Sequence, residues 1–359
     1  MIGRPVLEGP RNQGPSEPAK GTGVVANPSA QNARPSVAVL SVNTDGEAFI
    51  EEFGASLAGV TYANYRLIVV DNASTDRSLE ILRRLQPEAV ILQNDTNLGF
   101  TGACNRGLAH CLNESFDYVL FINNDLVMEP GFLDHLVAAA DERTMTVPKS
   151  YLYHHPGRLD DSVGEFDWLR GVWKRRILGT RPDIDFDQPR LVESATLSCM
   201  LVPTGLLQEV GVLDDNFFIY YDDTDFTHRA RERGYRLRFV PAAIIYHRKG
   251  ATIGGTNTPF GLYYLTRNRP YLIRKHVRSP LRRALFWSYF LSTRLLRLIG
   301  LLARGRTAHA KALILGLVDY WRGRMGKTVE RDRWPVPAQP GDPGLKMPEQ
   351  ERTKDLTRS

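Results

Sequence analysis

Phe116-Asp117-Tyr118-Val119-Leu120-Phe121-Ile122-Asn123-Asn124-Asp125 decides the fold of this chain. Tyr118 to Ile122 is short, aromatic and β-branched, the composition of a strand buried on both faces. The apolar run ends abruptly in two amides and a carboxylate. Open α/β sheets hold their ligands at the carboxyl ends of central strands, which makes Asn123, Asn124 and Asp125 a candidate binding edge. On this stretch alone a turn or a helix cap explains the same residues equally well. The flanking sequence decides between the two.

Upstream, Val37 to Val42 is an apolar run ending at Asn43 and Asp45, and Tyr65 to Val70 is another, running straight into Asp71-Asn72-Ala73-Ser74-Thr75-Asp76. Ala89 to Leu92 supplies a further strand. Between them, residues 46–58 have helical spacing (Phe49, Ile50, Phe53, Leu57), residues 77–85 read as helix, and Asn97 to Cys111 is a helix punctuated by glycine. Strand alternating with helix across 37–140 predicts parallel βαβ units in a doubly wound, mostly parallel sheet with helices on both faces. No G-x-G-x-x-G follows the first strand and no G-x-x-x-x-G-K-[ST] occurs, which disfavours the dinucleotide and P-loop versions of this architecture. Three successive strand ends carry polar or acidic groups instead. Carboxylates gathered at one sheet edge repel one another unless a cation or donors accompany them. A hard divalent ion carrying a phosphate-bearing ligand would meet that need.

Downstream the pattern changes. Residues 151–190 are turn-rich around Trp168 and Trp173 and read as a long irregular excursion over the sheet. Ser194 to Val202 reads as one strand. Phe217 to Tyr221 is apolar and runs into Asp222-Asp223-Thr224-Asp225, ahead of a helix from Thr227 to Arg233 that stops at Gly234. Arg236 to Val240 and Ala242 to Tyr246 are two strand-like pieces, and the second ends at His247.

The bulk composition, 42% apolar and 24% charged over 359 residues, is that of a soluble protein with ample core. Its charge is unevenly spread. Residues 262–330 hold fifteen Lys and Arg against Asp319 and Glu330, a local balance of +13, so the rest must carry −7 to give the net +6. Cys104, Cys111 and Cys199 have no metal-type spacing and suggest reduced thiols in the cytoplasm. No secretory signal is visible. Residues 1–35, rich in Pro, Gly, Asn and Ser, read as a disordered leader, and the end from Thr328 reads the same way. The expected layout is an ordered α/β domain over 36–277, a basic amphipathic helical tail over 278–327, and a disordered end over 328–359. Along 281–304, Arg282, Arg283, Arg294, Arg297 and Arg304 share one arc of a helix and apolar residues fill the remainder. The apolar length is read as too short, and the arginines as too central, for a spanning helix; one lying on an anionic membrane, or one packed on the domain with arginines outward, fits instead. With no aromatic-and-basic sheet face, no nucleic-acid partner is expected.

Taken together these stretches resemble the family 2 glycosyltransferases, above all the non-processive bacterial enzymes that move rhamnose or related sugars onto envelope glycans. Val69 to Asp76 matches that family's nucleotide-contacting strand end, and Asn97-Leu98-Gly99-Phe100-Thr101-Gly102-Ala103-Cys104-Asn105-Arg106-Gly107 its Gly-rich helix start beneath the donor. Asn123-Asn124-Asp125 is similar to its D-x-D metal motif, with Asn in the first place, and Tyr221 to Asp225 to its catalytic acidic stretch. His247 falls where the family often has a metal-ligating His. Tyr263 to Arg269 resembles a stretch common in the rhamnosyltransferase-like branch. The match runs over about 36–277 in the expected order.

The resemblance implies a GT-A fold and an inverting transfer from a nucleoside diphosphate sugar, with dTDP-rhamnose the donor suggested by the branch. It implies donor contacts at Asn43, Asp45, Asp71, Asn72, Ser74, Asn97, Gly99, Asn105, Asn123 and Asn124. Asp125 and His247 would hold Mn²⁺ or Mg²⁺, the His favouring Mn²⁺. Asp223 would be the general base, with its pKa lifted by Asp222. The acceptor would be a glycan or lipid-linked glycan, and the enzyme peripheral on the inner face of the plasma membrane. Simpler accounts exist for single pieces: an Asx turn and cap at 71–76, helix packing at the glycines, a solvated helix start at 222–225, and a structural histidine at 247. Galactofuranosyl or hexosaminyl transfer fits the same pattern. Nucleotidyl transfer to make a sugar nucleotide would call for a Gly-rich basic loop after the first strand, which Ser41 to Asp45 lacks. A processive synthase is disfavoured by the absence of Q-x-x-R-W.

Overall fold

The computed structural model describes residues 34–155, 157–160, 162–174, 186–248, 257–330 and 333. The leader expected over 1–35 lies outside the described residues except for its last two positions. β1 (Val37–Asn43), α1 (Ile50–Ala58), β2 (Tyr65–Asp71), α2 (Ser78–Leu85), β3 (Val90–Gln93), α3 (Gly99–Asn113) and β4 (Tyr118–Ile122) alternate as the apolar periods require. β5 (Leu126–Met128), α4 (Phe132–Ala139), β6 (Thr144–Leu152), β7 (Val163–Asp167), β8 (Val172–Lys174), β9 (Arg190–Leu191), β10 (Ser194–Ala195), β11 (Cys199–Pro203), α5 (Thr204–Val210), α6 (Asp222–Glu232) and β12 (Arg236–His247) follow. Three helices close the described chain: α7 (Pro259–His276), α8 (Pro280–Ala303) and α9 (Thr307–Trp321).

The main sheet has the order β3-β2-β1-β4-β11-β6-β12-β5, with β9 beside β12. β3, β2, β1 and β4 are mutually parallel, β11 is antiparallel to both β4 and β6, and β6 is parallel to β12. β4, β6 and β12 therefore point the same way as β1, and the sheet is mixed but mostly parallel. Their carboxyl ends, at Asn43, Asp71, Ile122 and His247, lie along one edge. Alternate residues build the two layers. Ala38, Leu40, Ile68, Val70, Val119 and Phe121 face α3 and α6 through Cys104, Leu108, Phe226 and Ala230. Val37, Val39, Leu67, Val69, Leu120 and Ile122 face α1, α2 and α4 through Ile50, Phe53, Leu82, Phe132 and Leu136. The three cysteines are free and buried, and burial pushes the Cys111 thiol up to about 12.

Several elements differ from the sequence reading. Arg236 to His247 is one strand rather than two, with a register shift between Val240 and Ile244. Pro241 explains it: without an N–H it cannot continue the ladder, so the strand bulges there instead of ending. Ser194 to Val202 is two strands, because β10 joins β7 in a small separate sheet while β11 joins the main one. The excursion read as irregular over 151–190 thus supplies β7 and β8, which join β10 in an ordered sheet, although residues 156, 161 and 175–185 of it lie outside the described residues. α6 begins at Asp222, so the acids occupy its first turn.

Residues 278–327 fold as α8 and α9 against α7. Leu262 of α7 packs on Leu301, Ala310 and Leu313, and Ile273 on Phe286 and Phe290. Thr328 to Glu330, expected to be disordered, are ordered: Val329 is buried against Phe218 and Tyr264, where its N–H meets the Tyr264 hydroxyl. By length and composition α8 is long and apolar enough to cross a membrane, because Arg294 and Arg297 are the only charges from Ala284 to Leu301. The expectation that it is too short fails on that measure. Nor are all its arginines outward: Arg294 is half-buried over the Phe290 ring, while Leu281, Leu285, Leu295, Leu296, Ile299 and Leu302 form an exposed apolar stripe, with Leu296 70% exposed.

Candidate active site

At the ends of β1, β2 and β4 one buried amide joins three elements. Asn43 Nδ2 donates to Asp71 Oδ1 (2.9 Å), Ser74 Oγ (3.0 Å) and Ser78 Oγ (2.8 Å), while its Oδ1 accepts from Asn124 Nδ2 at 2.7 Å. Asp71 Oδ2 accepts from the Ser74 amide at 3.2 Å. Asp45, exposed and at a φ of +47°, accepts from the Thr75 amide at 2.8 Å. Asn43, Asp45, Asp71, Ser74 and Asn124 therefore form one connected edge, in which Asn43 and Asn124 are spent on each other and Asp45 stays open to solvent. Asn123 follows β4 directly and is held by its backbone N–H to Ser198 O at 2.8 Å.

A second network ties this edge to α3. Asn72 Nδ2 donates to Asn97 Oδ1 at 2.9 Å and to Gly99 O at 3.2 Å, and its Oδ1 accepts from Asn94 Nδ2 and the Leu98 amide. The first amides of α3 are not left free: those of Phe100 and Thr101 donate to Phe218 O at 3.0 and 3.4 Å. Gly99 sits at φ +75°, and a Cβ there would lie 2.2 Å from the Phe218 ring. Both facts demand glycine. Gly99→Ala is expected to displace the Phe218 loop and lower turnover at least as much as it lowers the melting temperature, measured on the same sample. Asn105 stands apart: both of its side-chain polar atoms are engaged, with Leu213 and Asp215.

Asp125, at the end of the opening stretch, is buried, and among the described residues its Oδ1 has no hydrogen-bond donor. It faces His247 Nε2 across 3.5 Å. The other ring nitrogen, Nδ1, lies 2.7 Å from Asp160 Oδ2. Burial alone would lower the His247 pKa, but Asp125 and Asp160 outweigh it and hold the imidazole up at about 10. A carboxylate oxygen and an imidazole nitrogen facing each other, with a second carboxylate orienting the ring from behind, could hold a divalent cation. Asp160 could not be read from sequence, because it sits in a turn-rich segment with no strand or helix period. His228, Glu232 and His276 also bring ligand atoms within 4.8 Å of one another. There the His276 bond to Asp225 (2.7 Å) and the Trp168 ring against His228 account for the imidazoles as packing.

The acid pair opens α6. Asp222 is buried and Asp223 partly so. Burial, more than any neighbour, raises Asp223 to about 6, and hydrogen bonds from the Thr224 amide (2.6 Å) and hydroxyl (3.1 Å) only partly offset it. Asp222 is pushed further, by burial and then by the charges of Asp223 and Asp225. The sequence reading assigned the lift of Asp223 to Asp222; the repulsion falls instead on Asp222, the deeper group. Trp173 Nε1 donates to Thr224 Oγ1 at 2.8 Å, so the small sheet buttresses the acids. Asp225 is held low, near 2, where His276, Arg229 and Lys275 overcome its burial.

The approach to these acids is strained. Phe218, Tyr220 and Tyr221 have φ of +64°, +64° and +70°, conformations that persist only when the surroundings impose them. Asn268 and Arg267 do so. Asn268 Nδ2 donates to the carbonyls of Phe217 (2.9 Å), Ile219 (2.7 Å) and Tyr220 (3.1 Å), and Arg267 Nη2 to those of Asn216 (3.2 Å) and Phe217 (3.1 Å). The stretch from Tyr263 to Arg269 carried a resemblance in sequence but no mechanism. Its mechanism is a clamp on the acidic loop.

Residues 36–198 match the family model described as Glycosyl transferase family 2. Over 241 residues the chain is 27% identical to an N-acetylglucosaminyl-diphospho-decaprenol L-rhamnosyltransferase of Mycobacterium tuberculosis, covering 60% of this chain and 77% of that protein. It is 23% identical over 235 residues to the dTDP-rhamnosyl transferase RfbF of Shigella flexneri, covering 63% and 77%. Among solved structures it is similar in fold to GalNAc-T7, crystallised with UDP, GalNAc and Mn²⁺, at a TM-score of 0.51 and 16% identity. That similarity covers 66% of this chain and 48% of that structure, about half its length.

Proposed function

The chain belongs to the family 2 glycosyltransferases, of the rhamnosyltransferase-like kind, and from that premise we propose that it moves rhamnose from dTDP-rhamnose, by inverting displacement, onto a lipid-linked glycan acceptor in envelope polysaccharide synthesis. The names of its relatives supply the donor and the class of acceptor. The observation that carries the reading is the buried Asp125 Oδ1, which among the described residues takes no hydrogen bond and meets the His247 imidazole across 3.5 Å. A buried carboxylate oxygen without a donor costs free energy unless something binds it. Asp125 and His247 would hold Mn²⁺ or Mg²⁺, with Asp160 fixing the imidazole. The ion would neutralise the charge that develops on the departing diphosphate.

The protein's own groups do the rest. Asp223 accepts the proton of the acceptor hydroxyl as that oxygen attacks the anomeric carbon opposite the leaving group. Asp71 and Asp45, at the end of β2 and after β1, take hydrogen bonds from the nucleoside. The exposed apolar stripe of α8 rests on the membrane at the inner face of the plasma membrane, where lipid-linked acceptors are met. Nucleotide sugars should raise the melting temperature only with the ion present, and dTDP-rhamnose most of all, because a ligand bound to the native state alone stabilises it. Asp125→Asn should abolish the ion-dependent part. No stabilisation by any dTDP or UDP sugar, with or without Mn²⁺, would refute the reading.

A further inference from the structure

Arginines converge beside Tyr221, the residue that leads into the acid pair. The Tyr221 hydroxyl donates to Gly171 O at 3.3 Å, and Arg269 Nε donates to the adjoining Arg170 O at 2.9 Å. Gly171 leaves no room for a side chain there: a Cβ would lie 3.0 Å from Phe286 and 3.2 Å from Arg269. An aromatic belt from α8 carries the guanidiniums. Arg269 lies 5.7 Å from the Tyr289 centroid and 5.2 Å from that of Phe290, and Arg294 lies 5.3 Å from Phe290. Among the described residues, Arg294 Nε is buried without an acceptor. Arg294 is held down near 10 by burial and by the charges of Arg269 and Arg297. Among the described residues, no ion pair involves Arg269, Arg294 or Arg297. Gathered like charges without a counter-ion are costly, and guanidiniums are the natural forks for phosphate oxygens.

We propose that Arg269, Arg294 and Arg297 cradle the diphosphate of a lipid-linked acceptor, with the lipid along the outer face of α8 and the sugar reaching toward Asp223. This deepens the function proposed above and rests on it. The occupant follows from two features that meet on one helix: an anion-seeking cluster on the side toward Tyr221, and the exposed stripe of Leu285, Leu295, Leu296, Ile299 and Leu302. A free nucleotide would use the first and leave the second bare. A headgroup of the bulk membrane would not need a site beside the acid pair.

The test uses the full chain with farnesyl diphosphate, farnesol, and vesicles of phosphatidylglycerol and phosphatidylcholine. Calorimetric affinity for farnesyl diphosphate is expected to fall about tenfold or more in Arg294→Gln and in Arg297→Gln, the scale of one lost charge-assisted hydrogen bond. Arg297 is exposed, so its variant stays informative if Arg294→Gln folds poorly. Farnesol should bind weakly and equally to all three proteins, and vesicle binding should change little. Unchanged farnesyl diphosphate affinity in both variants overturns the cradle. An equal loss of vesicle binding also overturns it, by making the arginines a headgroup site. Stabilisation by dTDP-rhamnose and Mn²⁺ is read on the same samples. If it survives where farnesyl diphosphate binding is lost, the cradle stands. If it is missing from the parent protein, the function itself fails and the cradle with it.

Discussion

Asp223→Asn removes sugar transfer: turnover falls about 10²- to 10⁴-fold, the usual worth of a positioned general base. The fold and donor binding should survive, since the Asn side-chain oxygen can still accept from the Thr224 amide that Asp223 now engages at 2.6 Å. The pH profile separates a base from a merely structural carboxylate. Burial sets Asp223 near 6 against an ordinary 3.8, so the parent should lose turnover as pH falls through about 6. Stability runs the other way. A carboxylate whose folded pKa is raised binds its proton more tightly when native. It therefore favours folding at low pH, and that advantage is lost as pH rises from about 4 through 6. Asp223→Asn is free of that loss and should gain melting temperature relative to the parent at pH 8 compared with pH 5. It should also ease the charge pressing on Asp222. Undiminished turnover in the variant, or a parent profile flat between pH 5 and 7, sinks the assignment.

The parts of this site that could be read in the sequence are those where a strand simply runs out. Val119 to Ile122 is buried on both faces, so the first polar residues after it, Asn123 to Asp125, had to fall at the sheet edge. The same logic placed Asn43 and Asp71. Residues whose partners are distant in sequence were not legible. Asp160 reaches His247 across 87 positions, and Trp173 reaches Thr224 across 51. Neither lies on a period that announces it. The resemblance also implies donor contacts at Asn72, Asn97 and Asn105. In the fold their side chains bind other parts of the protein, and a hydrogen bond between remote loops leaves no local trace. Of the two readings of α8, the one with every arginine outward fails for a related reason: Phe286 and Phe290 bury toward α7, which turns leucines outward and draws Arg294 in.

Arg267→Met should destabilise the protein by about 3–5 kcal/mol, the cost of unmaking a buried polar network. Arg267 is fully buried. Its guanidinium donates to Gly326 O at 2.7 Å, Thr328 Oγ1 at 2.7 Å and Asn268 Oδ1 at 2.9 Å, besides the Asn216 and Phe217 carbonyls. The rings of Tyr263 and Tyr264, at 5.6 and 4.7 Å, bracket it. Methionine fills much of the volume but supplies no donor, so the part-buried Gly326 carbonyl and the Thr328 hydroxyl lose their guanidinium partner, while Asn216 O keeps the Gly326 amide and Phe217 O keeps Asn268. The chemistry should suffer beyond the stability loss. Arg267 and Asn268 hold the loop whose left-handed residues lead into Asp222 and Asp223, and a relaxed loop would let the proposed base drift. Turnover should therefore drop in Arg267→Met even at temperatures where circular dichroism finds it folded, while the metal-dependent donor binding proposed at Asp125 should persist. Arg267→Lys keeps the charge but not the fork and should fall between the two. Urea unfolding and turnover measured side by side decide the matter: a variant within about 1 kcal/mol of the parent, with full activity, would show that the clamp does not position the acids.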